Sequence, residues 1–461
     1  MMRSIAYRSA LSAALMVSVA AAEGIRPYAQ NPWYWQYRGK PVLLLGGSKD
    51  DNLFQIPDLQ KHLDELAAVG GNYVRNTMSD RRIGGFEVYP FARLENGKYD
   101  LEQWNEEYWQ RFERFLQATH RRGIFVQIEL WDRFDYAREH WEQHPYNPRN
   151  NVNYTYEQSG FRPHYPEHPG ANRQPFFFTT PLQRNNRVVL KYQQAFVRKL
   201  LSYSLDYDHV LYCIDNETSG AEAWGVYWAR FIQQEAEKAG REVFITEMWD
   251  DWDLRRPQHR RTFDHPEVYG YVDVSQNNHQ KGQVHWDRFQ WARRYLLKAT
   301  RRPMNTVKTY GADGARFGNT RDGLERWWRS LIGGAAAVRF HRPPSGLGLS
   351  EPAKASIRTA RLIEKLAPFW DLEPMLRLLD DREPNEAYLA ARPGQAYVVY
   401  FPDGGSVRLD VRDVAGSLEL RWFEVLKARS SAAMSVRGGS WLVLQPPGRG
   451  HWVAVLRRVA R

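Results

Sequence analysis

The stretch VLYCIDNETSG, residues 210–220, decides how the chain is read. Five apolar residues, Val210 to Ile214, run straight into Asp215-Asn216-Glu217-Thr218. A short apolar run that ends abruptly in polar groups reads as a buried strand whose C-terminal end opens onto a site. The question it raises is how many such strands there are and what stands at their ends.

Working outward, strand-like runs alternate with amphipathic helical runs. KPVLLLGGS is the first strand, NYVRNTMSD the second and IFVQIELWD the third. HVLYCIDNE is the fourth, VFITEMWDD the fifth and YGYVDVSQNN the sixth. MNTVKTYG and AAVRFHRPP complete the set. Between them the apolar spacing predicts helices over 57–69, 104–120, 188–205, 221–239, 286–300 and 321–332, with a last one over 353–366. Gly123 and Gly240 stop two of these, as a glycine just past a helix end does. Eight strand–helix alternations over roughly 330 residues predict a (β/α)8 TIM barrel. GGSKDD after the first strand is neither a dinucleotide-binding nor a P-loop turn, which argues against a doubly wound nucleotide fold.

Two segments depart from the alternation. The connection 132–187 is rich in Pro, Asn, Tyr and His and shows no helical period. A connection of this length is functional or disordered, and its aromatic content argues for order. It is expected to form a lid or wall over the C-terminal face of the barrel. From about residue 369 the pattern becomes short alternating strands with regular turn signals, which predicts a small antiparallel β-sandwich over 369–461. Its expected role is to cover one side of the barrel.

At the N-terminus, Arg3 and Arg8 precede the small, apolar stretch 10–22, and Ala20-Ala21-Ala22 offers a cleavage site. This is the pattern of a signal peptide over 1–22. It predicts a secreted or periplasmic protein with a barrel over 23–368 and no membrane span. The formal charge of +11 falls to +9 when Arg3 and Arg8 leave with that segment. The basic residues are spread over helices rather than gathered with exposed aromatics, so nucleic acid is not an expected partner. The single cysteine, Cys213, excludes an internal disulfide. No His/Cys spacing is that of a zinc site, and no cofactor or metal is expected. Oligomeric state is not legible.

Catalytic groups of a barrel enzyme stand at the C-terminal ends of its strands. Those ends hold Lys49, Asp50 and Asp51; Arg75 and Asn76; Glu129 and Asp132; Asn216 and Glu217; Glu247, Trp249, Asp250 and Asp251; Asp273, Asn277 and His279; Lys308 and Tyr310; and His341 and Arg342. A ring of carboxylates, amides and aromatics suits a polyhydroxylated substrate. With 18 Trp and 25 Tyr in the chain, flat faces for stacking on sugar rings are plentiful.

GGNYVRN and IDNE, on the second and fourth strands, resemble the corresponding strands of the TIM-barrel glycoside hydrolases that include the family 5 cellulases and mannanases. NPWYWQYRGKPVLLLGG is similar to their N-terminal stretch. The resemblance covers roughly residues 31–368. It implies a glycoside hydrolase acting on a polysaccharide or oligosaccharide, with Glu217 as general acid/base, Asn216 on a substrate hydroxyl and Arg75 orienting the second carboxylate. It fails on the seventh strand, where RPMNTVKTYG carries Lys308 and Thr309 in place of the nucleophilic Glu. A displaced acid is then expected, first of all Glu247 on the neighbouring strand, with Glu129, Asp250 and Asp273 in reserve. Such a displacement leaves the gap to Glu217 free to widen, so inversion at the anomeric carbon is expected. Arg75, Asn76, Glu129, Asp132, Asn216, Trp249, Asp250, Asp273, Asn277, His279, Lys308, His341 and Arg342 are the expected substrate contacts. Lys308, His341 and Arg342 suggest acidic sugars. The missing Glu leaves two other readings open: a carbohydrate-binding protein without activity, and a polysaccharide lyase using Lys308 or Tyr310 as base.

Overall fold

Residues 24–79, 81 and 84–458 are described by a computed structural model. The expected signal segment, 1–22, lies outside the described residues.

Eight short runs, buried at every position, form one parallel sheet among the described residues: β1 (Leu44–Gly47), β2 (Tyr73–Thr77), β3 (Phe125–Asp132), β4 (Val210–Asn216), β5 (Ile245–Thr246), β6 (Val272–Asp273), β7 (Met304–Thr309) and β8 (Ala337–Phe340). Their order is β5-β4-β3-β2-β1-β8-β7-β6. Neighbours in sequence are therefore neighbours in space, and β1 pairs with β8 to bend the sheet round. At the seam the Asp273 N–H donates to Thr246 Oγ1 at 3.1 Å. This is the TIM barrel with its eight strands in order. The fifth and sixth strands pair over two residues each, far less than their sequence runs suggest.

The helices between them begin and end where their caps dictate. They are α1 (Leu59–Ala68), α2 (Glu106–Arg121), α3 (Arg187–Ser204), α4 (Glu222–Lys238), α5 (Pro257–Phe263), α6 (Gly282–Leu296), α7 (Thr320–Ile332) and α8 (Glu351–Glu364). Asn105 caps α2 by accepting from the Glu107 N–H, which starts the helix two residues later than its apolar spacing suggests. Asn319 and Asp322 close a reciprocal capping box on α7.

A three-stranded antiparallel ribbon (Arg26–Pro27, Trp35–Tyr37, Lys40–Val42) precedes β1. Its Trp35 is fully buried and donates from Nε1 to Asn305 Oδ1 at 2.9 Å. From there a polar chain crosses the barrel: Asn305 donates to Tyr73 OH (3.2 Å) and Tyr73 OH to Gln127 Oε1 (2.7 Å). The interior of such a barrel is ordinarily filled by branched aliphatic side chains. Here hydrogen-bonded polar groups fill it, so every buried donor has to be matched.

The connection 132–187 is ordered but is not simply a lid. It consists of short helical turns, including Arg138–Gln143 and Tyr156–Ser159. Trp141, Tyr146, Tyr154, Phe161, Tyr165, Phe176 and Phe177 are all buried in the main hydrophobic core. Tyr154 OH donates to the Tyr146 carbonyl at 2.7 Å. The aromatics expected over the substrate are mostly core, because runs too short for regular helices bury their rings instead. Phe134 and His168 are the members that reach the cavity described below.

The C-terminal strands form two antiparallel sheets. One contains Tyr388–Arg392, Ala396–Phe401, Trp452–Arg458 and Ser417–Glu424; the other contains Leu379–Asp380, Val407–Asp410 and Trp441–Leu444. They enclose a second core that includes Leu389, Val399, Phe401, Leu409 and Trp422. This sandwich covers α7, whose residues 323–332 are all buried. Trp328 stacks on Tyr400 at 5.6 Å, and Thr359 of α8 donates to the Val425 carbonyl at 3.0 Å. Among the described residues, no helix is long and apolar enough to cross a membrane.

Candidate active site

At the C-terminal ends of the strands lies a cavity of about 330 Å³, within the size range of small-molecule sites. Its wall includes Asp51, Asn216, Glu217, Asp250, Trp252, His279, Lys308, Tyr310, His341 and Arg342, with Arg81, Arg316 and Phe317 toward one side. A larger groove of about 810 Å³ lies between the end of α8 and the sandwich, but its one carboxylate is Asp371.

Glu217 reaches this cavity through a bend. On an extended strand, side chains alternate, so Asp215 and Glu217 should share the outer face and Asn216 the inner one. Glu217 instead has φ +49°, a left-handed conformation that is uncommon for a residue with a side chain and is held only where the surroundings over-determine it. The bend puts Asn216 and Glu217 side by side in the cavity. Three donors hold Glu217 Oε1: Lys308 Nζ at 2.6 Å, Tyr310 OH at 2.7 Å and Gln276 Nε2 at 2.9 Å. Burial pushes the Glu217 carboxyl up, but the Lys308 charge and the three hydrogen bonds outweigh it and hold the group far below the usual carboxylate range.

Asp250 is the counterpart. It follows β5, and its N–H donates to the Thr218 carbonyl at 2.9 Å, tying the two strand ends together just beyond Glu217. Burial, and then the Glu217 charge, raise its carboxyl to about 6. One cavity therefore holds an acid that stays ionised and an acid whose proton affinity is raised toward the neutral range.

Beneath them is a buried charge layer. Arg75, fully buried, lies 2.6 Å from Asp51 Oδ1 and 2.5 Å from Glu129 Oε2, and donates to Asn216 Oδ1 at 2.8 Å. Lys308 Nζ donates to the same Asn216 oxygen, so the Asn216 amide is fixed with its Nδ2 toward Asp132 Oδ2, 2.9 Å away. Asp132 also pairs with Arg81 at 2.5 Å. Asp51 accepts from Arg342 Nε at 2.8 Å. Burial alone would raise its carboxyl, but Arg75 and its basic neighbours hold it well below the usual range. Burial lowers His341 well below its ordinary value and His279 to about 4, so both are neutral near pH 7.

Of the residues expected from sequence, Asn216, Glu217, Asp250, His279, Lys308, His341 and Arg342 line the cavity. Arg75, Glu129 and Asp132 lie behind it and position Asn216. Asp273 lies deeper, accepting from the Ser275 N–H at 2.8 Å. Asn76, Trp249 and Asn277 are buried in local contacts: Asn76 accepts from the Phe54 N–H, Trp249 donates to Thr262 Oγ1 and Asn277 donates to the His285 carbonyl.

Glu247 is the main correction, because it does not line the cavity. It accepts from the Asp215 and Met248 N–H groups at 2.9 and 3.1 Å, beneath α4. Gly225 of α4 makes room for it, since a Cβ there would come within 2.8 Å of Glu247 Oε2. Burial, and then Asp215, raise its carboxyl well above the usual range. Glu247 belongs to the packing between barrel and helices. Trp252, Arg316 and Phe317 are cavity residues that strand-end reading missed, as is buried Gln276, which lies behind the wall and holds Glu217. Exposed Trp252 lies parallel to His279 at 4.1 Å, and Tyr310 and Phe317 complete an aromatic wall around the same ring.

With the geometry in place, comparison with solved structures is informative. The chain superposes on a glycoside hydrolase family 5 structure from Bacteroides vulgatus with a TM-score of 0.66, covering 95% of this chain and 94% of that one at 11% identity. Its fold is shared with family 5 glycoside hydrolases. A second structure, described as a glycoside hydrolase, matches with a TM-score of 0.64 over 96% of this chain and 98% of its own at 10% identity. The similarity covers barrel and sandwich together. A family model described as a domain of unknown function, DUF6298, matches residues 89–250, which run from before α2 through Asp250. No curated protein matches the chain in sequence.

Proposed function

We propose that this cavity hydrolyses glycosidic bonds, with Asp250 as proton donor and Glu217 as the ionised carboxylate facing the anomeric carbon. The observation that carries the reading is the pair itself: two carboxyl groups in one cavity with proton affinities pushed in opposite directions. Such a separation divides an acid role from an anionic one. The assignment reverses the role that sequence resemblance implies for Glu217. An oxygen that accepts from Lys308, Tyr310 and Gln276 together is held as an acceptor, and a group so held gives up no proton near neutral pH. Asp250, raised to about 6, keeps a substantial protonated fraction in mildly acidic solution and suits protonation of a leaving oxygen.

In the proposed cycle, the glycosidic oxygen takes the Asp250 proton as the C1–O bond breaks. The positive charge that develops at C1 is met by Glu217. Water then adds to C1, and its proton returns to Asp250. A carboxylate this weakly basic suits direct contact with C1 better than abstraction of a proton from water. The proposal therefore favours retention of the anomeric configuration, where the displaced-acid argument from sequence expected inversion. Lys308 tempers Glu217, and approach of the sugar requires Lys308 to shift its contact toward Asn216.

The aromatic wall of Trp252, His279, Tyr310 and Phe317 supports a sugar substrate, since ring faces stack on the C–H faces of pyranoses. Support for acidic sugars is narrower than the sequence suggests. Lys308, Arg342 and Arg81 already face Glu217, Asp51 and Asp132. Arg316, exposed on the cavity wall, makes no ion pair among the described residues and is the group proposed to meet a carboxylate on the substrate. Together with the expected export signal, this describes an enzyme acting on polysaccharide or oligosaccharide outside the cytoplasm.

The test is a panel of neutral and uronate-containing polysaccharides, read by release of reducing ends, with wild type, Asp250→Asn and Glu217→Gln. The reading requires activity on at least one member and its loss by at least about 10²-fold in both variants. Tight binding without turnover would favour a carbohydrate-binding protein instead.

A further inference from the structure

At the opposite end of the barrel, the last turn of α2 meets the residues just before β4. His120 stands on the first, Asp208 and His209 on the second. One ligand-type atom from each of the three lies within 4.8 Å of the other two. His120 Nε2 is 3.4 Å from Asp208 Oδ1, and the two imidazole rings are 5.1 Å apart. None of these residues takes part in the cavity chemistry.

His209 is the informative member. It is buried, and its Nε2 lies 3.0 Å from Thr119 Oγ1. A threonine hydroxyl has one proton, and that of Thr119 is directed at the carbonyls of Phe115 and Leu116, 2.9 and 3.0 Å away. Thr119 Oγ1 is therefore the acceptor toward His209, which puts the ring proton on Nε2. The remaining nitrogen, Nδ1, then carries a lone pair. It is buried and meets no hydrogen-bond partner among the described residues. Fixing one ring nitrogen by an outer hydrogen bond is how metal-ligating histidines are commonly oriented. Asp208 is braced in a similar way, with Tyr37 OH donating to Oδ1 at 2.8 Å.

We propose that His120, Asp208 and His209 form a binding site for a divalent transition-metal ion, zinc foremost. Two imidazoles and one carboxylate match the donors that zinc accepts, with water as a fourth ligand. Calcium and magnesium require oxygen ligands and are not expected. Bonds of about 2.0–2.1 Å place tetrahedral ligand atoms roughly 3.3 Å apart, so the three residues must draw closer together. His120, with 39% of its side chain exposed, has room to move. Arg38 contacts the other oxygen, Asp208 Oδ2, at 3.5 Å; more than half exposed, it can swing outward as the ion arrives. The ion would join α2, the start of β4 and, through Tyr37, the N-terminal ribbon. At this end of a barrel the expected consequence is stability.

The test uses the full chain, treated with chelator and dialysed, with zinc chloride as probe. Calorimetric titration should give one saturable site per chain. Thermal unfolding should shift upward by about 3 °C or more with zinc at 100 times its Kd, and magnesium should give no shift. His120→Ala, on an exposed side chain, should fold normally and weaken zinc binding at least tenfold; Asp208→Asn should do the same. Absence of a saturable site in the wild type, or unchanged affinity in folded His120→Ala, would overturn the proposal.

Discussion

Replacing Asp250 by Asn should make the protein more stable, and increasingly so as the pH rises. In the folded state the Asp250 carboxyl is raised from 3.8 to about 6. An acid whose folded value is raised adds stability below its unfolded value and loses it as the pH climbs through the folded value. The window is thus about pH 4 to 6, and above it ionised Asp250 works against the fold. A shift of roughly two units corresponds to about 3 kcal/mol at 1.36 kcal/mol per unit. Asp250 is partly open to the cavity, and solvent screening reduces this to about 1–2 kcal/mol. Roughly half develops between pH 5 and pH 8, so Asp250→Asn should gain about 0.5–1 kcal/mol on the wild type over that interval. Urea unfolding of both proteins at the two pH values measures it, and any pH-independent effect of the Asn side chain cancels. A variant whose advantage is the same at pH 5 and pH 8 would refute the claim that Asp250 holds its proton in the folded state.

Lys308→Met removes the cation that keeps Glu217 ionised. Glu217, whose lowered carboxyl stabilises the fold above its unfolded value, then becomes a liability near neutral pH. With Glu217 side chain 19% exposed, the loss should be about 2–4 kcal/mol in urea at pH 7, as for a broken buried pair with some access to water; a change under about 0.5 kcal/mol would contradict the pairing. Tyr154→Ala should cost about 3–5 kcal/mol by the same assay, because Tyr154 is core, and an unchanged midpoint would return its segment to the role of a lid. Trp252→Ala should leave stability within about 0.5 kcal/mol and weaken binding of a productive oligosaccharide about tenfold; unchanged binding by calorimetry would remove Trp252 from the sugar wall.

The barrel was legible because short buried runs alternate eight times with amphipathic helical spacing, two of the helices ending at Gly123 and Gly240. The fourth strand showed most, since Asp215-Asn216-Glu217 breaks an apolar run at the place where a barrel puts its chemistry. The acid that shares the cavity with Glu217 was only partly legible: Asp250 stood in reserve behind Glu247, for reasons of parity. Glu247 and Asp250 are three residues apart, so on a regular strand they would face opposite sides, and a one-residue slip exchanges inside for outside. The fifth strand pairs over Ile245–Thr246 only, and beyond it sequence alternation no longer fixes direction. Glu217 itself enters the cavity through a left-handed bend at a residue other than glycine, which no propensity announces. Trp252, Gln276, Arg316 and Phe317 lie outside the paired strands, where spacing says little. In the connection 132–187 composition did separate order from disorder, but it did not separate rings that pack from rings that would meet a substrate.

In the proposed reaction Asp250 gives the proton and Glu217 meets the charge at C1. The most direct test is the dependence of turnover on the leaving group, measured with a glycoside of the productive sugar carrying either an activated phenol or an ordinary sugar alcohol. Asp250→Asn should lose at least about 10²-fold on the poor leaving group and keep most of its rate on the activated one, which departs without a proton. Glu217→Gln should lose both. Equal losses on the two substrates in Asp250→Asn, or loss confined to the poor leaving group in Glu217→Gln, would contradict the assignment.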